Sequence, residues 1–359
     1  RHHGEQALAI ARQLGHPQLL ARCLNALAYI HGYLRHWDTV EAYANEAREL
    51  YAAAGNRILE ADSQRVLGWS QMYLGRPQDS LATLRETFAF SQQIENLWGE
   101  AESAYRLAHT LLELGHYGEA ISLAKQGVKQ ARAVGIPTMG VLALLTWGTV
   151  QRTVMALESA GETLLAVLTE SSEQGLTGFS DWALAELCAL HALAGDWDQA
   201  HGYAKQRLQF RGDKSMLPVG LTGWYEIEAL LRGGDSNLAQ VEVENLGELV
   251  GNNKRYLLIL LRSQAILAQW DGDVDQAISH QSAALALAQE IGLPGKEWPI
   301  LGALSELYAE QGKEEKAHQA YNSSAAIIQR LAETIDEDAL RTGFLAAGPV
   351  RSILETSGV

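Results

Sequence analysis

Gly115-His116-Tyr117-Gly118-Glu119-Ala120 returns in recognisable form about every forty residues along the chain. The other copies are Arg35 to Val40, Gly75 to Ser80, Met155 to Ala160, Gly195 to Ala200, Gly234 to Ala239, Gly272 to Ala277 and Gly312 to Ala317. A fixed period of this length is the signature of a solenoid, in which each unit is one supersecondary element that buries its apolar face only against its neighbours. Each copy reads as the turn of a helical hairpin. Ala104 to Leu114 is an apolar-rich run without proline, Gly115 supplies the positive φ that ends a helix, and a second helix starts near Tyr117. The last position is alanine in six of the eight copies, with Val40 and Ser80 in the others. Side chains this small let two helix axes approach closely. Seven residues before the turn lies a matching notch, filled by Ala28, Gly68, Ala108, Gly148, Cys188, Ala265 and Ser305.

The order of an apolar residue, Leu, a small residue, an aromatic and then the turn with its small partner resembles the tetratricopeptide repeat. Leu301-Leu304-Ser305-Tyr308, followed by Gly312 and Ala317, is the fullest match, and Leu24-Leu27-Ala28-His31 departs only at its last member. The period is longer than the usual ~34 residues and overlaps that of two-helix HEAT and armadillo units. The surplus falls at the end of the second helix, where Gly55, Gly135, Gly175 and Gly292 close it. Lengthened repeats of this kind look like those of bacterial signal-transduction ATPases with numerous domains and related transcription regulators. The fold expected is all-α: a right-handed α-α superhelix of about eight hairpins with a C-terminal capping segment. Residues 1–15 align with the back half of a second helix and are expected to be the end of a truncated preceding repeat. Residues 16–332 carry the repeats, with turns near 35, 75, 115, 155, 195, 234, 272 and 312, and 333–359 form the cap or tail. Trp37, Tyr117 and Trp197 follow their turns and are expected to wedge between hairpins. The fourth turn has Met155 in place of glycine, so that hairpin is expected to be tighter, longer or bent. The glycine-rich stretch Gly175 to Phe179 is the candidate for a change of curvature, and the loops at 211–214 and 251–255 mark a drift in spacing.

Composition narrows the function. A net charge of −15 argues against a nucleic-acid surface, which needs clustered Lys and Arg. No apolar run approaches the ~18 residues of a membrane span; Tyr256 to Leu261 is cut short by Arg262 and reads as a buried helix segment. The two cysteines, Cys23 and Cys188, are far apart, which favours a reducing cytoplasm. The eleven histidines include no H-E-x-x-H pair, and no metal or other cofactor is expected. Gly292 to Glu297 lacks the spacing of a phosphate loop and follows a helix rather than a strand. No catalytic constellation emerges.

What remains is binding. The resemblance implies that the first helices line a concave groove, with ligand contacts ten and six residues before each turn and others a turn away. This places Asn25, Tyr29, Arg65, Trp69, Tyr73, Tyr105 and His109 in an N-terminal cluster, and Trp224, Glu228 and Arg262 in a second one beyond the middle. Arginine among aromatic rings suits planar anions, carboxylates or stacked rings, although the same side chains also serve as packing between hairpins. Asn25 and Tyr29 stand where chaperone-binding relatives carry a Lys-Asn carboxylate clamp, which disfavours an adaptor of that type. The expectation is a non-catalytic sensor of a larger bacterial signalling ATPase. It would bind a peptide, protein or small-molecule inducer in its groove and touch upstream domains of the parent, with no nucleic-acid or membrane partner. The alternative is a stand-alone scaffold for protein assembly.

Overall fold

Eight helical hairpins follow one another in a computed structural model that describes residues 2–211, 222–251 and 253–357. The hairpins are preceded by α1 (His2–Leu14). They comprise α2 (Pro17–Tyr33) with α3 (Trp37–Ala53), α4 (Arg57–Tyr73) with α5 (Pro77–Gln93), α6 (Leu97–Glu113) with α7 (Tyr117–Val134), and α8 (Pro137–Thr153) with α9 (Leu157–Glu173). The second half continues with α10 (Thr177–Ala194) and α11 (Trp197–Arg211), α12 (Gly223–Arg232) and α13 (Ser236–Val250), α14 (Lys254–Trp270) and α15 (Val274–Ile291), and α16 (Pro294–Glu310) and α17 (Glu314–Glu333). Two short helices, α18 (Asp338–Ala346) and α19 (Gly348–Ser357), close the array. There is no strand among the described residues. The protein is an all-α solenoid of paired helices.

One local device makes all eight hairpin turns. At Gly115, φ is +79°, the His116 N–H donates to the Leu111 carbonyl at 2.9 Å, and the Gly115 N–H donates to Leu112 at 3.2 Å. This left-handed cap satisfies the carbonyls that the end of α6 would otherwise leave unpaired. The fourth turn differs from expectation, because its hairpin is neither longer nor bent. Met155 takes φ +61° and the Ala156 N–H reaches the Gln151 carbonyl at 2.9 Å, the same closure as at Gly115. Arg35 does likewise with φ +65°. A left-handed residue other than glycine costs about 1–2 kcal/mol, and the cap bonds together with a whole packed hairpin outweigh that.

The small positions behave as the spacing implies. Val40, Ser80, Ala120, Ala160, Ala200, Ala239 and Ala277 are all fully buried. Opposite them, the notch is tightest where it is glycine: a Cβ on Gly68 would lie 2.7 Å from Leu84 Cγ, and one on Gly148 would lie 2.7 Å from Leu164 Cδ2. The two loops singled out in the second half lie partly outside the described residues: 212–214 of the first and Asn252 of the second.

A larger departure is that the repeats do not bury themselves against their neighbours alone. The superhelix comes round far enough for its C-terminal part to meet the hairpin turns of repeats two and three. Gln78 Nε2 donates to the Ile291 carbonyl at 3.4 Å. The Tyr117 N–H donates to Thr334 Oγ1, which donates in turn to the Gly115 carbonyl, both at 3.1 Å. Lys125 pairs with Glu337 at 2.5 Å. Gly118 is pressed so closely on the Thr334 carbonyl that a Cβ would clash with it. Tyr117 therefore meets Phe344 of α18 edge-on, with ring centroids 6.0 Å apart, as well as its own hairpin. Trp37 stacks 4.2 Å from the Tyr73 ring and parallel to it, and the Tyr73 ring in turn lies 5.9 Å from that of Tyr256 on α14.

Candidate ligand-binding site

First helices of successive repeats pack side by side along the inside of the curve, α4 on α6, α6 on α8 and α8 on α10. Their central residues consequently face one interior space. That space is a cavity of about 550 Å³, within the ~300–1,000 Å³ usual for small-ligand sites. Its walls are rings: Trp69 and Tyr73 from α4, Tyr105 and His109 from α6, Phe179 and Trp182 from α10. The stretch Gly175 to Phe179, expected to change the curvature, makes an ordinary left-handed turn at Gly175, with φ +67°, and forms part of this wall.

Two guanidinium groups reach the cavity. Arg106 is buried among the rings, with its central carbon 4.4 Å from the Trp69 centroid and 4.9 Å from that of Tyr105. Its Nε and Nη2 donate to Glu102 Oε1 at 3.1 and 2.6 Å. Burial alone would lower its pKa, but the neighbouring Tyr105 and the Glu102 carboxylate together raise it, so the guanidinium stays charged. Arg35 is different. It sits on the first turn, where the left-handed position carries a side chain rather than glycine, and it donates only to the Gly32 carbonyl, at 3.4 Å. No carboxylate pairs with it among the described residues. His109 is partly buried, and desolvation lowers its pKa to about 4. At neutral pH it is an uncharged partner for Thr146 Oγ1, 3.3 Å away.

Beneath this space the floor is ionic. Glu113 accepts from Arg255 and lies 3.4 Å from Lys296 Nζ, while Arg152 Nε meets Glu186 at 2.6 Å. Rings on the walls, one uncompensated cation at the rim and paired charges below can hold a flat apolar group that carries a single negative charge.

The residues singled out by spacing fall into three places. Trp69, Tyr73, Tyr105 and His109 line the cavity. Asn25, Tyr29 and Arg65 do not; all three converge on the Asp62 carboxylate, with donor distances of 2.5, 3.2 and 2.9 Å. Arg65 is fully buried and stacks over Trp98 at 5.0 Å, so its charge is consumed internally. In the second cluster Arg262 lies 4.3 Å over the Trp224 ring, whereas Glu228 is taken up by Arg232 at 2.8 Å. Arg106, Phe179 and Trp182 were not marked by the ten-and-six spacing. The available signal for Arg106 was an ion pair one helical turn long, Glu102 to Arg106, inside an otherwise apolar helix.

Comparisons with known proteins agree with this architecture. Residues 256–330 match the tetratricopeptide repeat family model. That stretch, from α14 to α17, is tetratricopeptide repeat, and the other hairpins share its turn geometry. Among curated proteins it resembles the regulatory protein AfsR of Streptomyces griseus, with 26% identity over 198 residues, which is 55% of this chain and 19% of that protein. The chain thus spans about a fifth of that relative's length. Among solved structures, a Rap protein complexed with competence and sporulation factor superposes with a TM-score of 0.70 at 13% identity, covering 92% of this chain and 95% of the other. The Rap conjugation gene regulator of plasmid pLS20, in complex with the Phr* peptide, gives 0.61 at 13% identity over 84% and 87%. At such identity these likenesses establish the fold. A tetratricopeptide array of this kind is typically non-catalytic, and among the described residues no helix is long and apolar enough to cross a membrane.

Proposed function

We propose that this tetratricopeptide region is the sensor of a larger regulatory protein and takes a small aromatic inducer or a short peptide into its central cavity. The observation that carries the reading is the space of about 550 Å³, walled by rings from three first helices and offered one unpaired cation, Arg35. A ring-lined hollow of this volume favours a small occupant over the broad surface that a protein scaffold would present. The Rap conjugation gene regulator, solved with the Phr* peptide, lends support to a peptide occupant, and the regulatory relative to a regulatory parent. A bacterial signalling ATPase of the kind with numerous domains suits the resemblance as the parent, acting in the cytoplasm, where Cys23 and Cys188, both free, would stay reduced.

Coupling follows from the closed form of the superhelix. A ligand shifts a conformational equilibrium only as far as it prefers one state. The cavity wall is built from α4 and α6, whose turns also bear on Thr334 and Ile291. An occupant that fixes the spacing of α4, α6 and α10 therefore favours or opposes the contact between the two ends of the array, and upstream domains would read that contact.

The test uses 8-anilinonaphthalene-1-sulfonate, an aromatic anion, as a probe on the folded protein. Saturable binding is expected, weakened about tenfold or more (at least ~1.4 kcal/mol) by Trp182→Ala or Phe179→Ala. Both side chains are only partly buried, so the fold should survive the change. Unchanged affinity in folded variants would reject the cavity as the site. Peptide and small-molecule libraries are then screened for displacement of the probe.

A further inference from the structure

We propose a second and separate binding site between α12, α14 and α16, where Arg262 and Lys296 flank Trp224, and we assign it to the carboxylate or phosphate group of a small ligand. Arg262 is only 7% exposed, and no hydrogen bond or ion pair holds its guanidinium among the described residues. Its Nε and Nη1 are buried without a partner. The face of the group is engaged, stacked 4.3 Å over the Trp224 ring. Stacking uses the face of the plane and leaves the N–H groups to find acceptors at its edges, where a guanidinium meets an oxyanion.

The surroundings add donors and remove competing acceptors. Lys296 Nζ lies 5.4 Å from the same ring, and Trp224 Nε1 and Thr222 Oγ1 are also buried without partners. Glu228, the carboxylate that acts on Arg262, is paired with Arg232, and Glu113, which faces Lys296, also holds Arg255. Burial lowers the pKa of Arg262, and Tyr225 and Glu228 oppose it without reversing the shift, as expected of a cation short of a counter-charge. Water can satisfy an N–H, but it cannot neutralise a charge withdrawn from solvent. An anion does both. Arg262 and Trp224 lie apart from the ring-walled cavity and do not line it, while Lys296 stands between the two places, paired there with Glu113.

Inorganic phosphate and succinate are the probes, compared with chloride at fixed ionic strength by thermal unfolding and calorimetric titration. The wild-type Tm is expected to rise with at least one oxyanion beyond its value in chloride, and whichever of the two acts identifies the group bound. In Arg262→Met, which keeps most of the volume and removes the charge, that increment vanishes while the Tm in chloride stays at or above wild type. Lys296→Gln, which keeps Arg262, weakens the oxyanion about threefold or more and serves if Arg262→Met fails to fold. An equal increment in wild type and both variants, or no increment from either oxyanion over chloride, overturns the assignment. Binding of the naphthalene sulfonate in the central cavity is unaffected by Arg262→Met, so failure of one site leaves the other standing.

Discussion

Arg65 and Arg262 occupy the same place in their repeats, ten residues before the turn glycine, yet they are in opposite electrostatic situations. Both are buried and both stack on a tryptophan, Trp98 in one case and Trp224 in the other. One helical turn before Arg65 stands Asp62, which accepts from it at 2.9 Å. The equivalent place before Arg262 is Ile259. A carboxylate on the same helix face closes the first arginine from within, whereas the second is left for something else to complete. Repeat position therefore says that a side chain points inward, and the residue three or four earlier decides whether its charge is available. Arg106, closed by Glu102, follows the same rule.

The largest expected effect tests that rule in repeat two. Replacing Asp62 by Ala removes the shared acceptor of Arg65, Asn25 and Tyr29 and leaves a fully buried guanidinium uncompensated. Breaking a buried pair in this way costs about 3–5 kcal/mol, read as a lower midpoint in urea unfolding. Restoring the balance with Asp62→Ala and Arg65→Met together should recover much of the loss. If Asp62→Ala were neutral, Arg65 would be as open as Arg262 and the contrast would collapse.

A smaller effect separates the same two repeats at their notch. In repeat two the notch is Gly68, and a Cβ there would lie 2.7 Å from Leu84 Cγ; in repeat seven it is Ala265, already accommodated and buried. Gly68→Ala should cost about 1–3 kcal/mol through overpacking. In a Leu84→Ala background the cost of the added methyl should fall, since the two positions share one space. Additive losses in the double variant would mean that the notch does not set the approach of α4 to α5.

These contrasts also show what was legible before any coordinates. The period, the hairpins and the small partner at each turn are local regularities, so spacing alone reveals them. The same spacing placed Trp69, Tyr73, Tyr105 and His109 on the inner face, where they line the cavity. It could not tell that Arg65 is silenced, because the partner Asp62 lies off the ten-and-six positions. Nor could it foresee the meeting of Gly115 and Tyr117 with Thr334, or of Glu113 with Arg255. Those contacts join residues more than a hundred positions apart and arise from the accumulated rotation of many repeats, which no single repeat encodes.

The finest distinction is between Gly115 and Met155, which make one turn from two residues. Both have positive φ and both are followed by an N–H that reaches back five residues at 2.9 Å. Methionine pays about 1–2 kcal/mol for the left-handed backbone, whereas glycine gives up about 0.5–1 kcal/mol of extra freedom on folding. Met155 also packs at the edge of the core formed by Leu107, Val150 and Val154, and glycine would forfeit that contact. The balance predicts that Met155→Gly stabilises the protein slightly, by about 0.5 kcal/mol, seen as a small rise in Tm. A clear loss would mean that the side chain, rather than the backbone, holds the fourth hairpin, and that its turn is equivalent to the third in shape but not in cause.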